Sequence, residues 1–355
     1  MTRRLRVHLL PETEDMARPN ACAVLRLLDP YTCAAVTEIA DISVSQGLPD
    51  DHVDVLVMQR MANELGDPVL VESLLRRVRA RGIRLVYDID DNLLDRHPVP
   101  KVEAGVGRHR RAVRSLLRAA DHVTVSTPLL RDRVQGLCQA VTVLPNMLED
   151  RRIGLVLDRP PEPRLHIGYF GTFTHLRDLM AVVGPIRAAL SQLSERPLLS
   201  LCGISDDPRL PDLFADMADV TLVPPTGDYD SFLRLIRTLD WDIGLAPLAG
   251  GAFEAAKSDI KFLEQAAFGI AGLYAAHPAY AAVQDGVTGL VAAADGWTAA
   301  LLRLAGDTGL RRRIVQSAGR FVRQERMLSR RGADWARMLQ AVAGSETASG
   351  LPLGH

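Results

Sequence analysis

Lysine is nearly missing from this chain: of 42 basic residues only Lys101, Lys257 and Lys261 are lysine, and the last two stand four apart. Aromatics make up 5% of the chain, and the four cysteines, at 22, 33, 138 and 202, are too dispersed for a CxxC pair or a zinc-ligand spacing. A disulfide scaffold and a structural zinc site are thereby excluded, and the thiols read as reduced ones. No apolar run approaches the ~18 residues of a membrane span. The opening MTRRLRVHLLPETED has too short an apolar stretch for a secretion signal, so the expected location is cytoplasmic. An excess of one charge is missing as well. Forty-two basic residues against 43 acidic ones leave a net charge of −1, without the basic field of a nucleic-acid-binding domain.

What remains is an ordinary globular composition, 47% hydrophobic and 24% charged over 355 residues, long enough for two domains at ~150 residues each. Short apolar runs alternate with amphipathic stretches, the pattern of an α/β protein built on parallel sheets. Strands are predicted at Leu5–Leu10, Val53–Met58, Ile83–Tyr87, His122–Val125 and Val141–Leu144, with helices over Val69–Ala80 and Arg108–Ala120. Prolines 160, 161 and 163 interrupt the rhythm. Strands resume at Leu165–Phe170, Leu198–Cys202, Val220–Val223, Ile243–Ala246, Gly272–Tyr274 and Gly289–Val291, with helices over Leu176–Leu193, Tyr229–Thr238 and Ser258–Phe268. The pattern predicts two Rossmann-like domains facing a cleft. The expected bounds are 1–150, a linker at 151–164, a second domain at 165–309, and helices with a frayed tail at 310–355.

The strongest local signal is KSDIKFLEQAAFGIAGLY at 257–274. On a helix, Lys261 and Glu264 project from one face near the N-terminal turn, where free amides and the helix dipole favour an anion such as a diphosphate. Ser258 is expected to cap that helix. The competing reading is an exposed Lys–Glu pair of little consequence.

This segment, continuing into PAY and DGVTGLV, resembles the donor-binding segment of GT-B glycosyltransferases, particularly the family 4-like group. The resemblance extends to IGYFGTFTHLRDL at 167–179, DWDIGLAPL at 240–248, VYDIDDNLLD at 86–95, DHVTVSTPLL at 121–130 and VTVLPN at 141–146. It implies a GT-B architecture and transfer of a sugar from a nucleotide-diphosphate sugar to a glycan, lipid-linked or small-molecule acceptor, with retention of configuration and no metal cofactor. Glu264 matches the family's second glutamate, which binds the ribose, and Lys261 sits where a base holds the diphosphate. Gly171 and Thr172 match the glycine turn after the first donor-domain strand. The first glutamate of the motif falls on Ala256, with Glu254 two residues before it. This departure motivates an alternative, a non-catalytic subunit that binds a nucleotide and transfers nothing.

His175 and Arg177 follow the glycine turn within reach of a phosphate, and His175 is read as either a donor contact or a cap. Asp242 is expected to fix its loop. VYDIDDNLLD admits three readings: a metal-binding DxD, a haloacid-dehalogenase-like phosphatase loop using Asp88 and Asp90, and a strand end whose Asp88, Asp90 and Asp91 face the cleft and orient or deprotonate an acceptor hydroxyl. The preferred one is the last. The candidate catalytic residues are thus Asp90, Asp91 and His175, and the donor-binding ones Gly171, Thr172, Ser258, Lys261 and Glu264. Finally, Arg110, Arg111, Arg114 and Arg118 fall in one quadrant of helix 108–120. That face suits peripheral contact with an anionic inner-membrane surface, or simply solvent.

Overall fold

The computed structural model describes residues 3–62, 67–158 and 163–344. Among these residues, parallel strands form two six-stranded sheets. The first comprises β1 (Leu5–Leu10), β2 (Ala40–Val44), β3 (Val55–Gln59), β4 (Arg84–Ile89), β5 (His122–Val125) and β6 (Val141–Val143), in the order β2-β1-β3-β4-β5-β6. The second comprises β7 (His166–Phe170), β8 (Leu198–Cys202), β9 (Asp219–Val223), β10 (Ile243–Ala246), β11 (Ala271–Ala275) and β12 (Leu290–Ala292), in the order β12-β11-β10-β7-β8-β9. Helices cover both faces of such sheets, so the central strands read as unbroken apolar runs: every residue of β3 and β11 is buried. Strand order reverses between β1 and β3 and between β7 and β10. Crevices for ligands open at the carboxyl ends of strands at such points.

The α/β architecture of two Rossmann-like units matches the expectation. The edge strand β2 was not anticipated, because ADISV alternates in burial and carries no apolar run. The predicted helix Leu176–Leu193 divides into Leu176–Met180 and Val183–Leu190. Pro185 is the reason, since it lacks an N–H and its ring would strike the carbonyl of residue 181 in a continuous helix. The long pattern from Leu310 likewise divides into Thr308–Glu325, Leu328–Arg331 and Ala333–Gly344. The last of these returns to the first sheet, where Trp335, Met338 and Leu339 share a core with Val7, Leu9, Val55 and Val57. A bridge between Leu148 and Met327 ties the outgoing and returning chain together. Residues 159–162 of the expected linker and the tail 345–355 lie outside the described residues.

Close packing over the second sheet depends on three glycines in register, Gly168, Gly244 and Gly272. A Cβ on Gly168 would stand 1.8 Å from the Trp241 ring, one on Gly244 would stand 2.6 Å from Gln265, and one on Gly272 would stand 1.9 Å from the Tyr274 hydroxyl.

The Arg110–Ala119 helix buries Ala112, Val113, Leu116 and Leu117 and exposes Arg111, Arg114 and Arg118. Arg110 departs from the expected basic face: it turns inward to the carbonyl of Asp95 and the carboxylate of Glu103. Among the described residues no helix is long and apolar enough to cross a membrane.

Candidate active site

A cavity of about 550 Å³ lies beyond the carboxyl ends of strands from both sheets. Arg60 follows β3, Asp90 and Asp91 follow β4, Gly171 and Thr172 follow β7, and Gly203 follows β8; all of them line it. Gly203 has φ +72°, and a Cβ there would stand 2.5 Å from the Gly171 carbonyl oxygen. Only glycine lets these two loops approach each other.

Lys261 and Glu264 form part of the wall from the Ile260–Ala267 helix. Both are buried, which removes the exposed-pair reading. The ammonium nitrogen of Lys261 lies 4.5 Å from the centre of the Tyr169 ring and 3.5 Å from its hydroxyl. Glu264 accepts a 3.0 Å hydrogen bond from the Tyr229 hydroxyl. Burial lowers Lys261 to about 8, against the opposing influence of Asp178. Burial raises Glu264 to about 8, against the Tyr229 hydrogen bond and Lys261. Ser258 lines the cavity but does not cap the helix. Asp259 holds the N-cap position with its carboxylate turned to Arg326, and Ser258 instead accepts from Asn146 at 2.9 Å.

Thr172 is the residue before the short Phe173–His175 turn, and it leads into His175. The Nδ1 of His175 lies 2.8 Å from Asp178 Oδ2. Burial and then Lys261 lower this imidazole to about 4, so at neutral pH it is uncharged. A proton shared with Asp178 at Nδ1 leaves Nε2 as an acceptor. Arg177 is not a cavity residue: it pairs with Glu254 at 2.7 Å beside a smaller recess. Glu254 therefore does not replace the missing first glutamate in the main cavity, and Ala256 contributes its carbonyl to Thr127. Asp242, as expected, fixes its loop by accepting from the His166 amide at 3.0 Å.

Three of the four aspartates of VYDIDDNLLD, Asp88, Asp90 and Asp91, separate. Asp88 does not face the cleft: it is buried beneath Arg26, at 2.7 Å, and accepts from Thr124 at 2.7 Å. A carboxylate so engaged cannot serve as the nucleophile of the phosphatase reading. Asp90 and Asp91 do line the cavity. Burial raises Asp90 to about 6, with Arg60 pulling against it. Burial also pushes Asp91 up, but Lys257 and Arg60 together hold it below the ordinary carboxylate range. Among the described residues no three His, Cys, Asp or Glu side chains converge as a metal-binding group.

Several wall residues were not singled out from the sequence. Arg26, on a five-residue π-helical stretch, and Arg60, with φ +41°, come from the first sheet's side. Tyr229 and Tyr280 come from the second. Arg26 joins Asp88, the Leu144 carbonyl and Asn146 across more than 60 residues of sequence, so no local pattern announces it. A π-helical stretch inside a helix is a common mark of a functional site, but it is invisible in composition.

No family model and no curated protein matches the chain. Solved structures do. Sucrose-phosphate synthase from Thermosynechococcus elongatus superposes with a TM-score of 0.66 at 14% identity, covering 97% of this chain and 100% of that one. HepE of Anabaena, solved with UDP and glucose, gives 0.66 at 12% identity, covering 95% of this chain and 100% of that one. A glycosyltransferase from Rickettsia africae gives 0.63 at 11% identity, covering 98% of this chain and 100% of that one. The chain has the GT-B fold of these glycosyltransferases.

Proposed function

We propose that this protein transfers a glycosyl group from a nucleoside-diphosphate sugar to an acceptor hydroxyl. The observation that carries the reading is the burial of Lys261 and Glu264 side by side in the wall of a cavity at the second sheet's switch point. Glu264 is assigned to the ribose. Ser258, Lys261 and the first turn of their helix are assigned to the diphosphate, where a fixed positive charge and oriented amides stabilise the leaving group. Gly171 and Thr172 are assigned to the approach of the phosphate or sugar, and the Nε2 of His175 to a hydroxyl of the donor sugar. Asp90 and Asp91 are assigned to the acceptor.

In the reaction the bond between the anomeric carbon and the diphosphate oxygen breaks, and its electron pair departs with the nucleoside diphosphate. The acceptor oxygen bonds to the anomeric carbon, and its proton passes to the departing phosphate. Lys261 serves as the counter-charge in place of a metal, so activity is expected to persist in EDTA. UDP is the first nucleotide to test, since HepE is solved with UDP-glucose. Retention follows from the motif resemblance and is read from the anomeric proton of the product.

The position of Glu254 on Arg177, outside the cavity, favours one second reading: a nucleotide-binding protein without transfer. Release of nucleoside diphosphate from a panel of UDP-, GDP- and dTDP-sugars, with and without acceptors, separates the two. The transferase reading expects release above the no-enzyme rate and its loss in Lys261→Ala. Tight nucleotide binding with no release from any donor establishes the second reading instead.

A further inference from the structure

The charged groups on the first sheet's side of the cavity do not close on one another. Arg60 stands 3.3 Å from Glu12, 3.4 Å from Asp90 and 3.6 Å from Asp91, and Lys257 stands 3.7 Å from Asp91. Some buried or part-buried pairs elsewhere are in full contact, Arg26 with Asp88 at 2.7 Å, Arg152 with Asp29 at 2.8 Å and Arg326 with Asp259 at 2.6 Å, while Arg311 stands 3.9 Å from Asp242. The difference extends to hydrogen bonds. Asp90 Oδ1 and Arg60 Nε are buried with no hydrogen-bond partner among the described residues. Among the described residues the one hydrogen bond of the Arg60 guanidinium goes to the Cys22 sulfur at 3.5 Å. A carboxylate offers about four acceptor positions and a guanidinium five donors, so most of this capacity is unspent.

Placement adds a second line of argument. Glu12 and Arg60 follow β1 and β3, the two strands between which the first sheet reverses its order, and Asp90 follows β4. Arg60 is held in the left-handed region at φ +41°, with its amide on the Asp88 carbonyl and its own carbonyl on the Tyr87 hydroxyl. Strain of this kind, in a residue other than glycine, gathers at ligand clamps. Lys257 arrives from the other half of the chain. Its segment is secured to the first half where Thr127 donates to the Ala256 carbonyl at 2.9 Å and Asn92 to that of Ala252 at 3.4 Å.

Charge decides the class of ligand. Within this group of lining residues two carboxylates, Asp90 and Asp91, balance two cations, Arg60 and Lys257, and Glu12, outside the lining, also stands against Arg60, so a phosphate or carboxylate would meet no net positive charge here. A hydroxyl both donates and accepts, and two neighbouring hydroxyls span a carboxylate and a guanidinium together. The buried Phe253 ring, with Lys257 5.3 Å from its centre, supplies an apolar wall beside them.

We propose that Arg60, Asp90, Asp91 and Lys257 form an acceptor subsite for an uncharged polyhydroxy group, a sugar ring or polyol presenting neighbouring hydroxyls, with Lys257 contributed by the other half of the chain. The acceptor role rests on the transferase reading above; the binding of polyols does not.

The test is saturation-transfer NMR on the whole protein, with and without saturating UDP. The probes are methyl glycosides of glucose, galactose and mannose, myo-inositol, glucose 6-phosphate and glucuronate. At least one neutral probe is expected to bind more tightly than its charged counterpart. Its Kd is expected to rise at least tenfold in Asp90→Asn and in Arg60→Lys, two substitutions that preserve size or charge. UDP affinity, read on the same samples, is expected to stay within about twofold, which shows that the variants are folded. Binding of the charged probes alone, no binding by any neutral probe, or neutral binding that survives both substitutions overturns the proposal. Failure of the wild type to bind any of UDP, GDP and dTDP, which replace UDP in turn in the same samples, overturns the donor assignment instead, and leaves a positive glycoside result standing.

Discussion

Glu264 and Lys261 lie nearly one helical turn apart in the same wall, and burial drives both toward 8 from opposite directions. The consequences for stability have opposite signs. Glu264 rises from 4.5, so the folded protein holds its proton more tightly and loses stability as pH climbs from about 4.5 to 8. Lys261 falls from 10.5, so stability returns between about 8 and 10.5. Thermal unfolding across pH 5 to 9 should therefore show Glu264→Gln gaining on the wild type by several degrees at pH 8, with the gap closing toward pH 5. A difference independent of pH would mean that Glu264 is ionised throughout. Nucleotide affinity should also fall above pH 8, where Lys261 loses its charge. At this scale the sequence was legible where spacing was local. Lys261 and Glu264 share a face because they are three apart, whereas Asp88 and Asp90 looked equivalent until Arg26, 62 residues away, proved to engage only the first.

Most strands were legible at the level of elements because parallel strands buried on both faces leave apolar runs, as VLVMQ in β3 does. β2 escaped because an edge strand needs no such run, and the break before Val183 escaped because a proline three residues into a helix is compatible with its start. Two glycines express the packing demands at this scale. Gly168→Ala would force a methyl into Trp241 and should cost about 1–3 kcal/mol, a fall of several degrees in Tm. Gly306→Ala, on an exposed helical position followed by Asp307 and with nothing within 4 Å of the added carbon, should instead stabilise by about 0.4–1 kcal/mol. Equal effects from the two would contradict the packing described for the second sheet.

For the molecule as a whole, the two halves are joined by more than the passage of the chain from one to the other. The Ala333–Gly344 helix returns to the first sheet, and Arg152 spans Asp29 on one side and Asp230 on the other. Asn146, after β6, reaches Ser258 at the start of the Lys261 helix. The cavity thus sits where both halves contribute walls, and its far-flung contributors explain why half of it was unreadable: Arg60, Asp90, Tyr229 and Lys261 have no common sequence neighbourhood. The central claim is that this cavity receives a nucleoside diphosphate on Lys261. Calorimetric titration of UDP, GDP and dTDP into the wild type and Lys261→Ala, in EDTA at pH 7, tests it most directly. One nucleotide should bind the wild type and lose at least tenfold in affinity, about 1.4 kcal/mol, in the variant. Binding of none of the three, or equal binding to both proteins, would contradict the account.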